Sequence, residues 1–536
     1  MDYVRASTRC VFDVAILGAG IAGSMLGCVL ARQGVKVLIL DAFSHPRFAI
    51  GESTIPLSTL FIEFLSERFA VPEFMSLADP ARYQQKIGTS CGLKGNFGYV
   101  YHRQGQPQRS NEAQQLGASK FYRHEELHFF RQDTDAYLTH VANCYGAIVR
   151  QDVKIRDLEI DENGVRLLSA RDEQFQARYV VDATGYRSVL ASKYGLREEP
   201  TSLKHHSRSL FTHMLNVRPY DEIADARSYH KLESPWFDGT LHHIFPGGWL
   251  WVIPFNNAKG STNPLCSVGL TLDPRRFPKP EHSAEEEFDH FLSRYPEIAR
   301  QFENARPARE WVSTDRLQYS SRASVGDRWC LMSHASGFVD PFYSRGLINT
   351  MEIIHAFATR MLVAVKEGDF SRARFEYVEV LQDKLLRHND ELVDCSYLSF
   401  VDNELWNAFL RVWVLGTYAA EGTAASLLNS YRRTGNMAFL QRFDRPPLPG
   451  LVFPFGEWYR DLFKIATDAV YAVDRGQLAP AQAAARIFEA IGKADYAGST
   501  WALASSQKLF RQIASPEVRD LFYRPERDNE QEVDTV

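Results

Sequence analysis

Cysteine is scarce in this chain. Its 536 residues hold seven: Cys10, Cys28, Cys91, Cys144, Cys266, Cys330 and Cys395. They are odd in number and scattered, with no C-x-x-C pair, which excludes a disulfide framework and a zinc ribbon and points to reduced thiols in a cytoplasmic protein. Basic charge is not in excess either. The formal net charge is -5, from 61 Lys+Arg against 66 Asp+Glu, whereas a nucleic-acid partner asks for a basic face. No uninterrupted apolar run is long enough to span a bilayer. The apolar stretch from Val14 to Leu30 is broken by Gly18, Gly20 and Gly23 and is followed by no small-residue cleavage pattern, so it does not read as a signal peptide. Metal spacing is missing too. His205-His206 and His242-His243 are adjacent pairs whose members face opposite ways on a strand, and neither has an i, i+4 partner. There is no internal repeat and no low-complexity linker. What remains is 45% apolar and 24% charged, the composition of a soluble globular protein with ample core. Its length allows roughly three to four domain-sized units, or fewer if they interleave.

The N-terminal end is the first segment that carries chemistry. Asp13 to Leu17 is a short apolar run that fits a buried parallel strand. Gly18-Ala19-Gly20-Ile21-Ala22-Gly23 follows at once, then an amphipathic pattern from Ser24 to Arg32 that Gly34 stops, then a second apolar run from Val35 to Leu40 closed by Asp41. In such a loop Gly18 makes the tight turn, Gly20 lets the backbone approach a pyrophosphate and Gly23 allows helix and strand to pack closely, and Ala22 between them is a further candidate cofactor contact. The helix N-terminus offers free N–H groups and partial positive charge. Asp41 stands at the spacing of the carboxylate that binds ribose hydroxyls. This module binds a dinucleotide without distinguishing FAD from NAD. No second glycine-rich unit follows.

Far downstream, Trp249-Leu250-Trp251-Val252-Ile253-Pro254 is entered by the Gly247-Gly248 turn and ended by Pro254. Two tryptophans at i and i+2 of an extended segment share one face, and each buries on the order of 200 Å² of ring. Short β-like runs also occur at 209–217, 241–254 and 265–272, which predicts an antiparallel sheet. From Thr350 the pattern is mostly helical, with apolar residues at helix spacing over 405–416 and 458–473 and an alanine-rich amphipathic helix over 481–490. Pro446-Pro447-Leu448-Pro449-Gly450 breaks the helical blocks, and the acidic tail 525–536 is expected to be disordered. Trp406, Phe409 and Trp413 are expected in the helical core, with the lining of a substrate pocket as the alternative.

Several of these segments together resemble the flavin-dependent halogenases. Trp249-x-Trp251-x-Ile253-Pro254 is similar to that family's signature, and Pro46-Arg47-Phe48-Ala49-Ile50-Gly51-Glu52-Ser53-Thr54-Ile55-Pro56 to the segment that passes alongside its flavin. Val180-Val181-Asp182-Ala183-Thr184-Gly185 and the Arg131-x-x-x-Asp135 element resemble FAD motifs of the para-hydroxybenzoate-hydroxylase-like flavoproteins. The usual Gly-Asp pair of their third motif is absent from Leu331-Met332-Ser333-His334-Ala335-Ser336-Gly337, as it is in other halogenases. The resemblance runs from about Asp13 to about Ile354. It implies an α/β fold: a Rossmann-like FAD-binding domain over 1–355, with an inserted antiparallel substrate sheet from about 86–130 and 200–320, and a helical substrate-capping region over 356–536. Arg47, Gly51, Glu52, Ser53, Arg131, Asp182, Gly185, Asp340 and Pro341 then join the glycine loop and Asp41 as candidate FAD contacts.

The implied activity is halogenation. Reduced FAD and O2 convert chloride or bromide to hypohalous acid, which passes through the protein to a lysine and then to an electron-rich aromatic ring. Lys94, in Cys91-Gly92-Leu93-Lys94-Gly95-Asn96-Phe97, aligns with the family's lysine, and Lys86 is the neighbouring rival. An ammonium there donates a hydrogen bond to the hypohalous oxygen, and a neutral amine forms a haloamine; the sequence leaves both open. Phe338-x-x-Pro341-x-x-Ser344-x-Gly346 matches the halide-site pattern, with the amides of Arg345 and Gly346 as anion donors at a helix start and Ser344 beside them. The Arg345 side chain either adds charge to that site or points to solvent. Trp249 and Trp251 are expected to stand between flavin and substrate, excluding the substrate from the flavin and shielding the oxidant. Tyr343 stands where tryptophan halogenases carry a glutamate, which turns the expectation toward a phenol, a pyrrole or a differently posed indole, free or tethered to a carrier. With no nicotinamide module, FADH2 is expected from a separate flavin reductase. The competing readings are an aromatic hydroxylase of the same fold and a catalytically silent flavin-binding protein.

Overall fold

The structure is a computed structural model that describes residues 12–117, 126–224, 234–444 and 457–494. The proline break at 446–450 and the acidic tail at 525–536 lie outside the described residues. Two large sheets organise the chain. In the first, the strands Trp329–Leu331, Gln174–Asp182, Phe12–Leu17, Val37–Leu40 and Ile148–Arg150 lie side by side in that order and run parallel. Their central members are apolar and fully covered, as a parallel sheet with packing on both faces requires. The strands Ile155–Asp161 and Gly164–Ser169 form an antiparallel extension on Gln174–Asp182.

The glycine loop does what its spacing predicts. Gly18 has φ +96, and a Cβ there would lie 2.8 Å from the Ala183 carbonyl oxygen. At Gly23 a Cβ would lie 2.0 Å from the Gly18 carbonyl oxygen, so only glycine lets the helix sit this close to the turn. The helix spans Ile21–Arg32, three residues earlier than the apolar pattern suggested, because the extended backbone of Gly20 leads straight into it. The next strand is shorter than expected, Val37–Leu40.

The second sheet draws its strands from residues 96–117 and 208–313. Its order is Arg306–Pro307, Arg208–Leu215, Cys266–Leu272, Gly248–Pro254, Gly239–Phe245, Asn96–Tyr101 and Ala113–Gly117. The run at 241–254 is a hairpin of two strands, turned at Gly247 with φ +90. The expectation of a purely antiparallel sheet needs one correction. Asn96–Tyr101 pairs parallel with Gly239–Phe245, since the chain returns to this edge only after a long crossover. A separate two-stranded ladder joins Gly92–Lys94 to Glu126–His128 and sets Lys94 opposite Glu126.

The C-terminal part is helical, with Gly346–Glu367, Arg372–Ser399, Asn403–Thr434, Glu457–Asp474 and Pro480–Lys493 as its main elements. Among the described residues Gly346–Glu367 is the one helix long and apolar enough to cross a bilayer by composition. Its apolar window is 67% buried inside the fold and packs on the dinucleotide domain, which accounts for that character. Trp406, Phe409 and Trp413 are buried.

Candidate active site

The ends of the parallel strands and the inner face of the second sheet enclose a cavity of about 810 Å³, within the range of small-molecule sites. Most of the residues singled out from the sequence line it: Gly18, Gly20, Ala22, Asp41, Arg47, Gly51, Glu52, Ser53, Arg131, Gly185, Trp249, Trp251, Asp340, Pro341, Ser344 and Gly346. Gly23, Lys94, Asp182 and Arg345 do not.

At the nucleotide end the helix Ile21–Arg32 has no side-chain cap and no acidic residue in its first turn, so its N–H groups face the cavity unneutralised. Asp41 is buried at the tip of its strand, where one carboxylate oxygen accepts from the Ala19 amide (2.6 Å) and from Arg47 Nη2 (2.7 Å). Arg131 grips Asp135 with two bonds of 2.8 Å each and donates through Nη1 to the carbonyls of Ile50 (2.6 Å) and Gly51 (3.2 Å). It therefore ties segment 46–56 to the helix Arg131–Cys144. Glu52 in that segment accepts from His213 Nε2 at 2.7 Å. An open glycine turn, a bare helix N-terminus, a carboxylate and an arginine in one trough fit the phosphates and ribose of FAD.

Asp182 is placed differently from expectation. It is wholly buried, and its oxygens accept from the Thr184 amide and hydroxyl (3.0 and 2.5 Å), the Ser188 hydroxyl (2.7 Å) and the Leu190 amide (3.1 Å). It shapes the turn that carries Thr184 and Gly185 to the cavity and has no free face for a ligand.

The tryptophan pair stands on the cavity wall, ring centroids 5.5 Å apart. Trp249 Nε1 donates to Tyr397 Oη (2.9 Å) and Trp251 Nε1 to Ser267 Oγ (3.2 Å). Trp251 lies across Gly269 of the neighbouring strand, where a Cβ would be 2.0 Å from its ring. Tyr397 passes the linkage on by donating to Asp340 Oδ2 at 3.1 Å.

Lys94 is completely buried, whereas its rival Lys86 is exposed at the end of a short helix. Lys94 Nζ donates to Ser53 Oγ (2.7 Å) and to the Thr54 carbonyl (2.5 Å), and sits 3.8 Å from the centroid of the Phe97 ring. Ser53 and its hydrogen-bond partner Thr240 (2.8 Å) line the cavity, so one side chain separates that space from the amine. Burial drives the lysine pKa well below its usual value, and the nearby Glu126 carboxylate opposes the shift. Burial likewise lifts Glu126 to about 7, against the hydroxyls of Thr59 and Thr54 and the charge of Lys94. His128 bonds Thr240 Oγ1 (2.9 Å) and the Pro254 carbonyl (3.0 Å), and burial lowers it to about 3, so it is neutral.

At the other end, the helix Gly346–Glu367 points its N-terminus at the cavity with no side-chain cap and no acid in its first turn. Ser344, with φ +51, turns the loop into it. The Arg345 side chain follows neither of the two courses expected for it. It is buried and does not line the cavity, with Nη2 3.4 Å from Asn349 Oδ1. Burial lowers its pKa to about 10, and Glu352 opposes the shift. Only its backbone belongs to the loop.

Sequence reasoning missed Glu126, His128, Thr240 and His242. The last lines the cavity, stacked between Phe97 (4.6 Å) and Tyr99 (4.8 Å). Alternation along Gly239–Phe245 was the available signal, since it separates His242 from His243, which turns to His102 (2.9 Å) and Gln301 (2.7 Å) on the opposite face.

Comparison with known proteins agrees with this geometry. A family model described as an FAD binding domain matches residues 11–233. The chain is 45% identical to a tetracycline 7-halogenase of Kitasatospora aureofaciens over 91% of its length and 87% of that protein. It is 46% identical to the monodechloroaminopyrrolnitrin halogenase PrnC of Pseudomonas fluorescens over 91% of this chain and 85% of that one. The crystal structure of the halogenase PltM in complex with phloroglucinol and FAD superposes with a TM-score of 0.87 at 35% identity, covering 92% of this chain and 99% of that one.

Proposed function

The chain belongs to the flavin-dependent halogenases, FAD-dependent oxidoreductases that halogenate aromatic carbon, and from that premise we propose that Lys94 delivers the halogen, that Trp249 and Trp251 keep substrate and flavin apart, and that the Gly346 amide holds the halide. Bound FAD, once reduced, supplies with O2 the oxidising equivalents that turn chloride or bromide into hypohalous acid. The residues do the rest. The uncapped N-terminus of Gly346–Glu367 attracts the halide through amide donors and helix dipole. The tryptophan wall blocks a ring from the flavin and leaves the narrower way past Ser53 and Thr240 to a small oxidant.

At Lys94 two N–H bonds are fixed on Ser53 and Thr54 and the Phe97 ring covers another side of the nitrogen, so the oxidant reaches the amine by way of Ser53, which lines the cavity. Polarising hypohalous acid there makes the halogen electrophilic. Ring attack then forms the carbon–halogen bond, breaks the oxygen–halogen bond and releases water and a regenerated ring. The ring proton replaces the one given to the leaving hydroxide, and Glu126, opposite Lys94 on the ladder, keeps the local proton count level. The observation that carries this reading is an amine with no exposure, bonded to a serine that lines the cavity.

The substrate is a small electron-rich aromatic. The named relatives are a tetracycline 7-halogenase, a monodechloroaminopyrrolnitrin halogenase and a halogenase in complex with phloroglucinol. FADH2 comes from a separate flavin reductase, because the sequence carries a single glycine-rich dinucleotide unit. The test incubates the protein with reduced FAD, O2, bromide and a phenol, and reads product mass. The wild type gives the brominated product, and Lys94→Met forms hypobromous acid, caught by a dimedone trap, without brominating the phenol. A hydroxylated product made equally well without halide, or full bromination by Lys94→Met, overturns the proposal.

A further inference from the structure

His205 is a buried titratable side chain that does not line the cavity. It sits in the loop leading to Arg208–Leu215, between two carboxylates: Nε2 is 3.7 Å from Asp340 Oδ2 and Nδ1 is 3.8 Å from Asp394 Oδ1. Among the described residues neither carboxylate has another ion-pair partner. Buried charge without a counter-ion is strongly disfavoured, so the imidazole between them carries a proton. Burial opposes that proton, and Asp340 and Asp394 more than reverse the effect, leaving the His205 pKa raised above 6.5. The other charged groups of the cluster are engaged elsewhere. Asp390 accepts from the amides of Lys204 (2.8 Å) and His205 (3.0 Å), Arg316 donates to the His205 carbonyl (3.1 Å), and Lys204 pairs with Glu391 (3.0 Å). His206 is held below its usual value by burial and by the charge of Arg316.

Resting on the wall role of Trp249, we propose that the Asp394–His205–Asp340 array positions the tryptophan wall, with His205 as the residue whose charge holds it. Every link to the wall is a short contact. Asp340 Oδ2 accepts from Ser207 Oγ (3.2 Å) and Tyr397 Oη (3.1 Å), and Tyr397 Oη accepts from Trp249 Nε1 (2.9 Å). The Tyr397 ring also packs on the imidazole, with centroids 4.3 Å apart. At the far end Asp394 accepts from Tyr471 Oη (3.2 Å). One imidazole therefore joins the helices Glu457–Asp474 and Arg372–Ser399 to the strand Gly248–Pro254. With the imidazolium in place, Asp340 is held where Tyr397 needs its acceptor, and Tyr397 fixes the indole. Loss of the proton leaves two buried carboxylates on either side of a neutral ring. Asp340 then shifts, and the chain of bonds to Trp249 slackens. Since the pKa is raised, the array is held below pH 6.5 and loosens as pH rises through the raised value. A loosened wall lets oxidant escape before it reaches Lys94.

Fluorine NMR of the FAD-loaded protein carrying 5-fluorotryptophan tests this without turnover, with the Trp249 resonance assigned by its loss in Trp249→Phe. In the wild type that resonance is flat at the acid end and shifts with a midpoint above pH 6.5. In His205→Gln it keeps one position from pH 6 to 9. Turnover with reduced FAD, O2, bromide, a phenol and dimedone then divides the oxidant between trapped hypobromous acid and bromophenol. His205→Gln raises the trapped share about tenfold, the order of loss that a small misplacement brings. A merely structural role would lower Tm and leave both the partition and the Trp249 titration as they are. A wild-type resonance that does not move, one that titrates alike in His205→Gln, or a wild-type partition in that variant overturns the proposal. Trp249→Ala is the separate arm. If it partitions the oxidant as the wild type does, the wall reading itself fails, and the titration decides the His205 linkage alone.

Discussion

Glu126→Gln isolates the electrostatics beside the lysine. The carboxylate is 1% exposed and accepts at one oxygen from Thr59 Oγ1 (2.6 Å) and Thr54 Oγ1 (3.0 Å). The amide oxygen of glutamine keeps both bonds. Burial lifts the folded-state pKa from 4.5 to about 7. A raised carboxylate means the native protein holds a proton that the unfolded chain has lost. The associated stability is therefore complete below pH 4.5 and is lost as pH rises through about 7. At 1.36 kcal/mol per unit, the full excursion is about 3 kcal/mol. Glutamine cannot ionise and does not incur that loss. The variant should stay within about 1 kcal/mol of the wild type at pH 5 and exceed it by up to about 3 kcal/mol at pH 8. Thermal unfolding of both proteins at pH 5, 6, 7 and 8 reads this as a Tm gap that opens with pH. Parallel curves, or a variant that loses stability at pH 8, would refute the claim that Glu126 is a carboxyl kept near neutrality by its apolar surroundings.

Three other substitutions probe the scaffold of the site. Gly269→Ala places a methyl 2.0 Å from the Trp251 ring; it should cost ~1–3 kcal/mol and change the near-UV circular dichroism of the tryptophans, and a wild-type Tm with an unchanged spectrum would contradict the packing described. Arg131→Met leaves Asp135 buried without its partner and releases the carbonyls of Ile50 and Gly51, so Tm should fall by the equivalent of ~3–5 kcal/mol and FAD should bind at least tenfold more weakly by fluorescence titration. Asp182→Asn removes acceptors needed by Thr184, Ser188 and Leu190; a loss of ~1–3 kcal/mol is expected with weaker FAD retention on desalting, and full retention at wild-type stability would show that the turn does not depend on this carboxylate.

The sequence by itself determined the features whose physics is local. A glycine at φ +96, a third glycine with no room for Cβ and an uncapped helix N-terminus follow from a dozen consecutive residues, so the dinucleotide trough was legible. So was the shared face of Trp249 and Trp251, which strand alternation fixes. What a charged side chain does depends on what the fold brings to it from elsewhere, and only the tertiary structure decided that. Asp182 turned inward to its own turn, and the Arg345 side chain was buried beside Asn349. Lys94 acquired its perturbed amine from burial, with Ser53 and Thr54 as its hydrogen-bond partners and Glu126 opposing the shift, and no local pattern shows that Tyr99 and Trp413, some three hundred positions apart, both pack on Phe97. Desolvation and hydrogen-bond completion are properties of a surrounding shell, and a shell assembled from four distant segments leaves no periodic trace in any one of them.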